Sequence, residues 1–537
     1  MKAVSMPLPL KLTGTIASPG FAYGPLVALA TSAPANRPSR GAAEETAALE
    51  SAIARAIADI SASIATSSGP AADMLEFQLA MLEDRALSHA AFAALAAGSA
   101  ADTAWAEALD EQIAGYVAAE DEYFRARSAD LRDIKDRVLH AFSGATAARP
   151  PAGAILTGDD ITPSQFIAAD WSQGGAIALR QGSAASHVAM LARARGVPML
   201  VGISDLPANG AAMALVDAEA GSILLHPDPD SRAQFMIDQS AAVGRRDQAA
   251  ARAHLEAVTS DGTHIAVHVN VAEPADLEAI DVATCDGVGL MRSEFLYARG
   301  LPDEETQLEA YRKVVRWASG KPVVIRTVDA GGDKPVPGFT VDERNPFLGL
   351  RGLRLALAKP DIFRVQVRAL LRVAREGNVS AMFPMVSQAS EYASAAGIFR
   401  EEAQNLMAQG IPHAMPRLGI MVEVPAVAIA PELLDQAAFF SIGSNDLTQY
   451  VMAASRDNGA VAALNDVTHP AVLTLIGNVV RVGKALSIPV SLCGDAGGDP
   501  AALPAILAAG LRSISVAPAQ LPLVKVAIAN ISIEGQP

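Results

Sequence analysis

Leu418-Gly-Ile-Met-Val-Glu423 is a short apolar run that stops at a carboxylate, and Phe439-Phe-Ser-Ile-Gly443-Ser-Asn445-Asp446 repeats the pattern a little further along. Runs of this length bounded by turn residues read as buried strands. The same grammar recurs at His264 to Val271, Asp286 to Leu290, Pro322 to Val328, Ser380 to Met385, Pro489 to Leu492 and Ile514 to Val516, and Phe347-Leu-Gly-Leu350 is a weaker candidate. Helical stretches separate them. Eight or nine strands alternating with helices predict a C-terminal TIM (β/α)8 barrel. Each apolar run ends in chemistry, at Arg292, Arg326, Glu423, Asn445-Asp446 and Cys493. In a barrel those strand ends converge on one mouth, so residues far apart in sequence share a pocket.

The residue types in that mouth suit a small, highly charged anion. Glu423 and Asp446 are hard-oxygen donors at the ends of successive strands, suited to Mg2+ with water and substrate phosphate completing its shell; the plain alternative is that they partner nearby arginines. Arg292, Arg326, Arg351 and Arg456 sit at strand ends or just beyond. One such arginine is an ordinary rim salt bridge, but several guanidinium forks beside a divalent cation can grip phosphate and carboxylate oxygens bidentately. Asn445 can donate to the same oxygens. Cys493 reads as a small buried apolar residue or, at an anion pocket, as a proton donor, because an unperturbed thiol is mainly protonated at neutral pH. Cys285 reads as structural.

A second centre precedes the barrel. In Gly182-Ser-Ala-Ala-Ser-His187-Val-Ala-Met-Leu-Ala-Arg193 small residues lead up to one histidine before helix formers take over, so Ser186 is an N-cap and His187 stands at a helix start. The free N–H groups and dipole of such a terminus suit a phosphate carried on the ring. Strand signals at 12–29, 153–157, 174–179, 197–202 and 223–225 make this an α/β domain, the first stretch reading as two strands around Ser18-Pro19-Gly20. Between 41 and 144 the period changes to that of helices, in four amphipathic groups led by Leu49, Leu75, Trp105 and Leu131. This bundle is inserted into the α/β domain and reads as structural or as a docking module. The polar, alanine-rich stretch Ser231 to Val258 reads as a linker helix.

Composition narrows the class. A formal charge of -16 argues against nucleic acid or an anionic membrane as partner, and two distant cysteines without metal-ligand spacing fit a reducing cytoplasm. The longest uncharged run, Leu12 to Asn36, is broken by Pro19, Gly20, Gly24, Pro25 and Pro34, and the N-terminus lacks the sustained apolar stretch of a signal peptide.

The ordered set Gly182 to Arg193, Gly289-Leu-Met-Arg-Ser-Glu-Phe-Leu296, Ile325-Arg-Thr-Val-Asp-Ala-Gly-Gly-Asp-Lys334, Asn345-Pro-Phe-Leu-Gly-Leu-Arg351, Met382-Phe-Pro-Met385, Met421-Val-Glu-Val-Pro425, Phe440 to Tyr450 and Cys493-Gly494 resembles enzyme I of the phosphoenolpyruvate:sugar phosphotransferase system. The resemblance spans nearly the whole chain. It implies a multidomain α/β protein: a swivelling phosphohistidine α/β domain (1–35 and 146–228), an inserted helical bundle that docks the carrier HPr (36–145), a linker helix (229–260) and a phosphoenolpyruvate-binding TIM barrel that forms a homodimer (261–537). It implies that His187 carries the phosphoryl group, that Arg292, Arg326, Asn445, Asp446 and Arg456 bind phosphoenolpyruvate, that Glu423 and Asp446 hold Mg2+, and that Cys493 protonates the enolate. Arg351 joins the substrate-binding set from its place near the mouth. Ser183, Ala185 and Val188 replace a glycine and two hydroxyl residues of the family's histidine loop, and Asp495 replaces a longer acid.

Rival readings are a dikinase or phosphoenolpyruvate synthase, a lyase on the same barrel, and a regulatory phosphoprotein with no role in sugar transport. No G-x-x-x-x-G-K-[ST] occurs to support the first, and the second leaves His187 unexplained.

Overall fold

Strands such as Ala176-Ile-Ala-Leu179 are apolar at every position because both of their faces are covered. Ile177 and Leu179 pack on one side with Leu156, Val188 and Leu191, while Ala176 and Ala178 pack on the other with Ile155, Val216 and Ile223. The computed structural model describes the chain except residues 1–7, 30–33, 35–37, 67–69, 118–121, 144–149, 183–185, 208–212, 279, 298–299, 333–335, 342, 456–460, 462–463 and 534–537. Two compact units result, Met1–Ala241 and Ala242–Pro537.

In the first unit an eight-stranded sheet runs in the order Leu10–Thr13, Ser222–Leu225, Met213–Asp217, Phe21–Ala28, Ile155–Gly158, Ala176–Leu179, Met199–Val201, Thr15–Ser18. The opening segment makes both edges. It pairs antiparallel with Ser222–Leu225, turns at Gly14 and then pairs antiparallel with Met199–Val201. A side chain at Gly14 would meet Ile203 Cγ1 at 2.6 Å and the Val201 carbonyl oxygen at 2.8 Å, so the turn needs glycine. Here the expected pair of N-terminal strands is three, and Met213–Asp217 is a further strand that the sequence reading did not mark.

Helices Ala42–Thr66, Pro70–Glu83, Arg85–Ala96, Ala101–Val117 and Glu122–Ser143 lie between the central strands of this sheet in the chain. They enclose their own core around Leu49, Ile60, Leu75, Trp105, Leu109 and Ile134. Among the described residues the insert has five helices rather than four. Arg85–Ala96 escaped the sequence reading because alanines surround its few large buried residues, Leu87 and Leu95, and blur the hydrophobic period. Charged contacts tie the insert to the sheet. Buried Asp133 accepts from Gln78 Nε2 at 3.0 Å and from the backbone N–H and hydroxyl of Ser164, and Arg132 holds Asp160 at 2.7 Å.

The second unit is a closed barrel of eight parallel strands, Ala266–Val271, Val288–Met291, Val323–Arg326, Val379–Phe383, Arg417–Val422, Phe440–Ile442, Val490–Leu492 and Ser513–Val516, and the last pairs with the first. Phe347–Leu350 is no strand. Asn345-Pro346 opens a 3-10 turn over Pro346–Leu348, since proline fixes the first turn and supplies no ladder donor. Amphipathic helices such as Glu304–Ala318 and Pro360–Val373 pack their apolar faces on the strands, the former capped by Asp303 accepting from Thr306 N at 2.8 Å. Pro229–Arg252 forms the helix expected for the linker. No helix among the described residues is long and apolar enough to cross a membrane.

Gly24→Ala is expected to destabilise the first unit by about 2–3 kcal/mol, because the added methyl overlaps the Gly153 carbonyl oxygen, a backbone atom that cannot swing aside. Thermal unfolding followed through Trp105 and Trp171 fluorescence checks it; an unchanged first transition contradicts the packing.

Candidate active site

At the carboxyl ends of the barrel strands lies a cavity of about 310 Å³ lined by Leu290, Arg292, Arg326, Met421, Glu423, Gly443, Asn445, Asp446, Cys493, Gly494 and Asp495. Six of the expected site residues are therefore brought together: Arg292, Arg326, Glu423, Asn445, Asp446 and Cys493. Arg456 lies outside the described residues.

Arg351 departs from expectation. It is fully buried and does not line the cavity. Its guanidinium donates to Asp329 through Nε at 3.1 Å and Nη2 at 3.0 Å, and to Asp446 through Nη1 at 3.0 Å and Nη2 at 3.1 Å. The fork that was to grip substrate is committed to two buried carboxylates, and Arg351 acts here by orienting Asp446. Burial works against its charge, but Asp329 and Asp446 hold its pKa far above the usual arginine value.

Asp329 also pairs with Arg326 Nη1 at 3.2 Å, and Arg326 Nη2 donates to Glu294 at 3.1 Å. Arg326 Nε is buried without a hydrogen-bond partner in a side chain that lines the cavity. Neither Asp329 nor Glu294 was singled out from sequence. A usable signal existed, since Asp329 follows Arg326 by three residues and Glu294 follows Arg292 by two, each just past a strand end.

Glu423 accepts the Met385 N–H at 2.6 Å, and Met385 adopts φ 57°, a strained value for a non-glycine residue. Burial, then repulsion from Asp446 and Asp329, pushes the Glu423 carboxyl up to about 8 against the pull of Arg326 and Arg351. A buried carboxyl held up by a neighbouring carboxylate, in a pocket of hard oxygen donors, fits a divalent cation. Among the described residues no group of three or more His, Cys, Asp or Glu forms a metal cluster, so such a cation would rest on this pair.

Asn445 and Asp446 occupy the first turn of helix Ser444–Met452, directly after a strand. Asn445 Oδ1 accepts Asp495 N at 3.0 Å while Nδ2 donates to Asp495 Oδ2 at 2.8 Å, which fixes the amide's orientation. The shorter acid at 495 thus reaches Asn445. Gly494 permits this approach, because a methyl there would overlap Ser444 Oγ.

Buried Cys493 donates to the Ile442 carbonyl oxygen at 3.7 Å. Burial pushes its thiol up to about 11, against the Ser441 hydroxyl and the charge of Arg326, so the proton stays on sulfur at neutral pH. Cys285 is also buried and unpaired, its thiol raised by burial.

His187 belongs to the first unit. It opens helix His187–Arg195, capped by Ser186, whose hydroxyl accepts Ala189 N at 3.2 Å, and closed by Gly196 at φ 65°. Arg193 Nη1 donates to the Ala17 carbonyl oxygen at 2.6 Å and anchors the helix to the sheet. Ser183 and Ala185 lie outside the described residues. Val188 is buried in the core, so an apolar residue suits that position.

Arg351→Met is expected to cost the barrel about 3 kcal/mol by leaving Asp329 and Asp446 buried without their shared cation. Urea unfolding followed at Trp317 measures it, and a change near zero would contradict the network. A second expectation concerns pH with divalent cations chelated. Because the folded state raises the Glu423 pKa, its contribution to stability is complete below the ordinary glutamate value and is lost as pH rises through about 8. Glu423→Gln should flatten the decline of barrel stability between about pH 5 and 8, a slope of at most about 1.4 kcal/mol per pH unit; parallel slopes in the two proteins would refute it.

Family models match three segments: PEP-utilising enzyme, N-terminal, over residues 13–127; PEP-utilising enzyme, mobile domain, over 150–221; and PEP-utilising enzyme, PEP-binding domain, over 246–533. Phosphoenolpyruvate-protein phosphotransferase of Geobacillus stearothermophilus is 38% identical over 440 residues, 78% of this chain and 76% of that protein. The protein of the same name from Enterococcus faecalis is 36% identical over 430 residues, 78% of this chain and 75% of that protein. With the strand-end arginines, carboxylates and thiol gathered at one barrel mouth and all three models matched in order, the chain belongs to the PEP-utilising enzyme family, among the phosphoenolpyruvate-protein phosphotransferases.

Proposed function

We propose that this enzyme takes the phosphoryl group of phosphoenolpyruvate onto His187, releases pyruvate, and passes the group to a histidine of an HPr-like carrier, the opening step of a phosphotransferase system. The observation that carries this reading is the composition of the barrel mouth, where Arg292 and Arg326 meet Glu423, Asp446, Asn445 and a protonated Cys493 in one cavity. Such a set binds a phosphorylated carboxylic acid and can return a proton to the carbon acid that departs.

Arg326 is held rigid by Glu294 and Asp329, so its free Nε–H is preorganised for an oxygen of the substrate. Arg292 is exposed at the rim and supplies a movable cation, while Asn445 presents the rest of its amide at an angle set by Asp495. Neutral His187 is the nucleophile, attacking phosphorus in line with the enolate oxygen. Cys493 then gives its proton to the methylene carbon of the enolate. Glu423 and Asp446 would hold Mg2+, which supplies charge neutralisation for the transferring group. The helical insert is the docking module for the carrier, the barrel supports a homodimer, and the reaction belongs in the cytoplasm.

Incubation with labelled phosphoenolpyruvate and Mg2+ is expected to give an acid-labile, base-stable phosphate on the protein. His187→Ala should abolish it with both units still folded; wild-type labelling in that variant overturns the assignment. Cys493→Ala should bind phosphoenolpyruvate normally and lose about 10²–10⁴-fold in turnover, whereas a loss confined to binding would make the thiol structural. If the phosphorylated protein fails to discharge to HPr, the regulatory phosphoprotein reading replaces the carrier step.

A further inference from the structure

Strand Ala266–Val271 turns Val267, Val269 and Val271 outward into the core between strands and helices, so Asn270 faces the barrel interior. Ser515 does the same on the neighbouring strand, whose Ile514 and Val516 pack outward. Hydrogen bonds occupy both ends of the Asn270 amide. Nδ2 donates to the Cys493 carbonyl oxygen at 3.2 Å and to the Ser515 carbonyl oxygen at 3.3 Å, while Oδ1 accepts the Ser515 hydroxyl at 2.6 Å. Carbonyl oxygens only accept, so it is the amide nitrogen that faces both of them. Gly289 leaves room for this arrangement, since a methyl there would meet Ser515 Oγ at 2.6 Å and His268 Cβ at 3.0 Å. Asn270 does not line the substrate cavity.

Cys493 stands one residue past the end of strand Val490–Leu492, which pairs with strand Ser513–Val516 at Leu492 and Ile514. Its N–H is held from the other neighbouring strand, by the Ile442 carbonyl oxygen at 3.0 Å. Asn270 reaches across Ser513–Val516 to hold its C=O from the opposite side. The positions of a residue's backbone nitrogen and carbonyl carbon fix the direction of its Cα–Cβ bond. These two clamps therefore aim the thiol. We propose that Asn270 is a positioning residue that directs the Cys493 thiol at one face of the enolate. The proposal rests on the reading of Cys493 as proton donor. In that step the S–H bond breaks as a C–H bond forms on the methylene carbon, giving pyruvate and a thiolate, and a thiol held in one direction delivers its proton to one face. Asn270 acts through the peptide that joins Cys493 to Gly494, and a donor displaced by about 1 Å loses about 10²-fold in efficiency.

The face that receives the proton can be read directly. Phosphoenolpyruvate with deuterium at one methylene position, taken through a single turnover by the full-length enzyme with Mg2+ in tritiated water, gives pyruvate with a chiral methyl group when protonation is one-sided. The wild type is expected to give one hand in large excess. In Asn270→Ala, and in the near-isosteric Asn270→Asp, whose carboxylate cannot donate to either carbonyl, that excess should fall at least about tenfold while phosphoenolpyruvate binding and phosphate labelling of His187 stay near wild type. Aspartate fills the same space, so a packing role would leave it unaffected. An undiminished excess in either variant overturns the proposal, as does a parallel fall in binding and labelling with the excess retained. Ser515→Ala removes only the hydroxyl that orients the amide and should lower the excess in the same direction; if both variants at 270 fail to fold, an undiminished excess in Ser515→Ala overturns the proposal instead. Cys493→Ala separates the two levels. One-sided protonation retained there, or two-sided protonation in the wild type, removes the donor reading and the proposal with it, whereas selectivity lost in Cys493→Ala but kept in Asn270→Ala removes the positioning role alone.

Discussion

Asp329 is the residue on which the barrel mouth depends. It sits just past the third barrel strand, is wholly buried, pairs with Arg326 and accepts two hydrogen bonds from Arg351. Arg351 then reaches across to Asp446 on the helix after the sixth strand. A buried carboxylate with one guanidinium is a doubtful stabiliser, because desolvation offsets most of the attraction. Shared between two, with every oxygen engaged, it becomes a frame that fixes the directions of both arginines. What remains of Arg326 for substrate is thereby decided in advance.

The same economy of motion governs the opposite wall. Asn445 is locked by two hydrogen bonds with Asp495, and Gly443 and Gly494 allow strand and helix starts to approach where any side chain would collide with Glu423 or Ser444. Electrostatic catalysis depends on dipoles that need not reorganise when charge moves, and each of these contacts removes a degree of freedom from a group that faces the cavity. Arg292 is the exception. It is exposed, and suits a group that follows substrate in and out.

Most of this architecture was legible in the residues because buried parallel strands announce themselves as uninterrupted apolar runs, and five of the runs in the second half of the chain ended in a charged or polar group. Phe347-Leu-Gly-Leu350 misled for a local reason: the same apolar letters after Asn-Pro make a 3-10 turn. Met213–Asp217 merges in the sequence with the alanine-rich Ala208-Asn-Gly-Ala-Ala212 that precedes it, which hides its start. Arg351 could not have been assigned from its neighbours in sequence, since an arginine near a strand end looks alike whether it meets substrate or a buried aspartate. Its partners lie 22 and 95 residues away.

The charge balance of the mouth carries a last consequence. Among the described residues three guanidiniums, Arg292, Arg326 and Arg351, stand among three carboxylates, Glu294, Asp329 and Asp446, while burial raises the Glu423 carboxyl toward its neutral form. The pocket is therefore close to neutral before substrate arrives, with Asp495 adding negative charge at its edge. Phosphoenolpyruvate carries several negative charges at neutral pH, more than Arg326 Nε and the rim cation Arg292 match among the described residues. Added positive charge is needed, and the carboxylate pair is where it fits: a divalent cation there would draw the proton from Glu423, turn mutual repulsion into shared attraction, and leave the Asp329 frame undisturbed. The raised Glu423 pKa and the commitment of Arg351 to Asp446 are then two sides of one arrangement, in which cationic character enters together with the substrate instead of being stored in the protein.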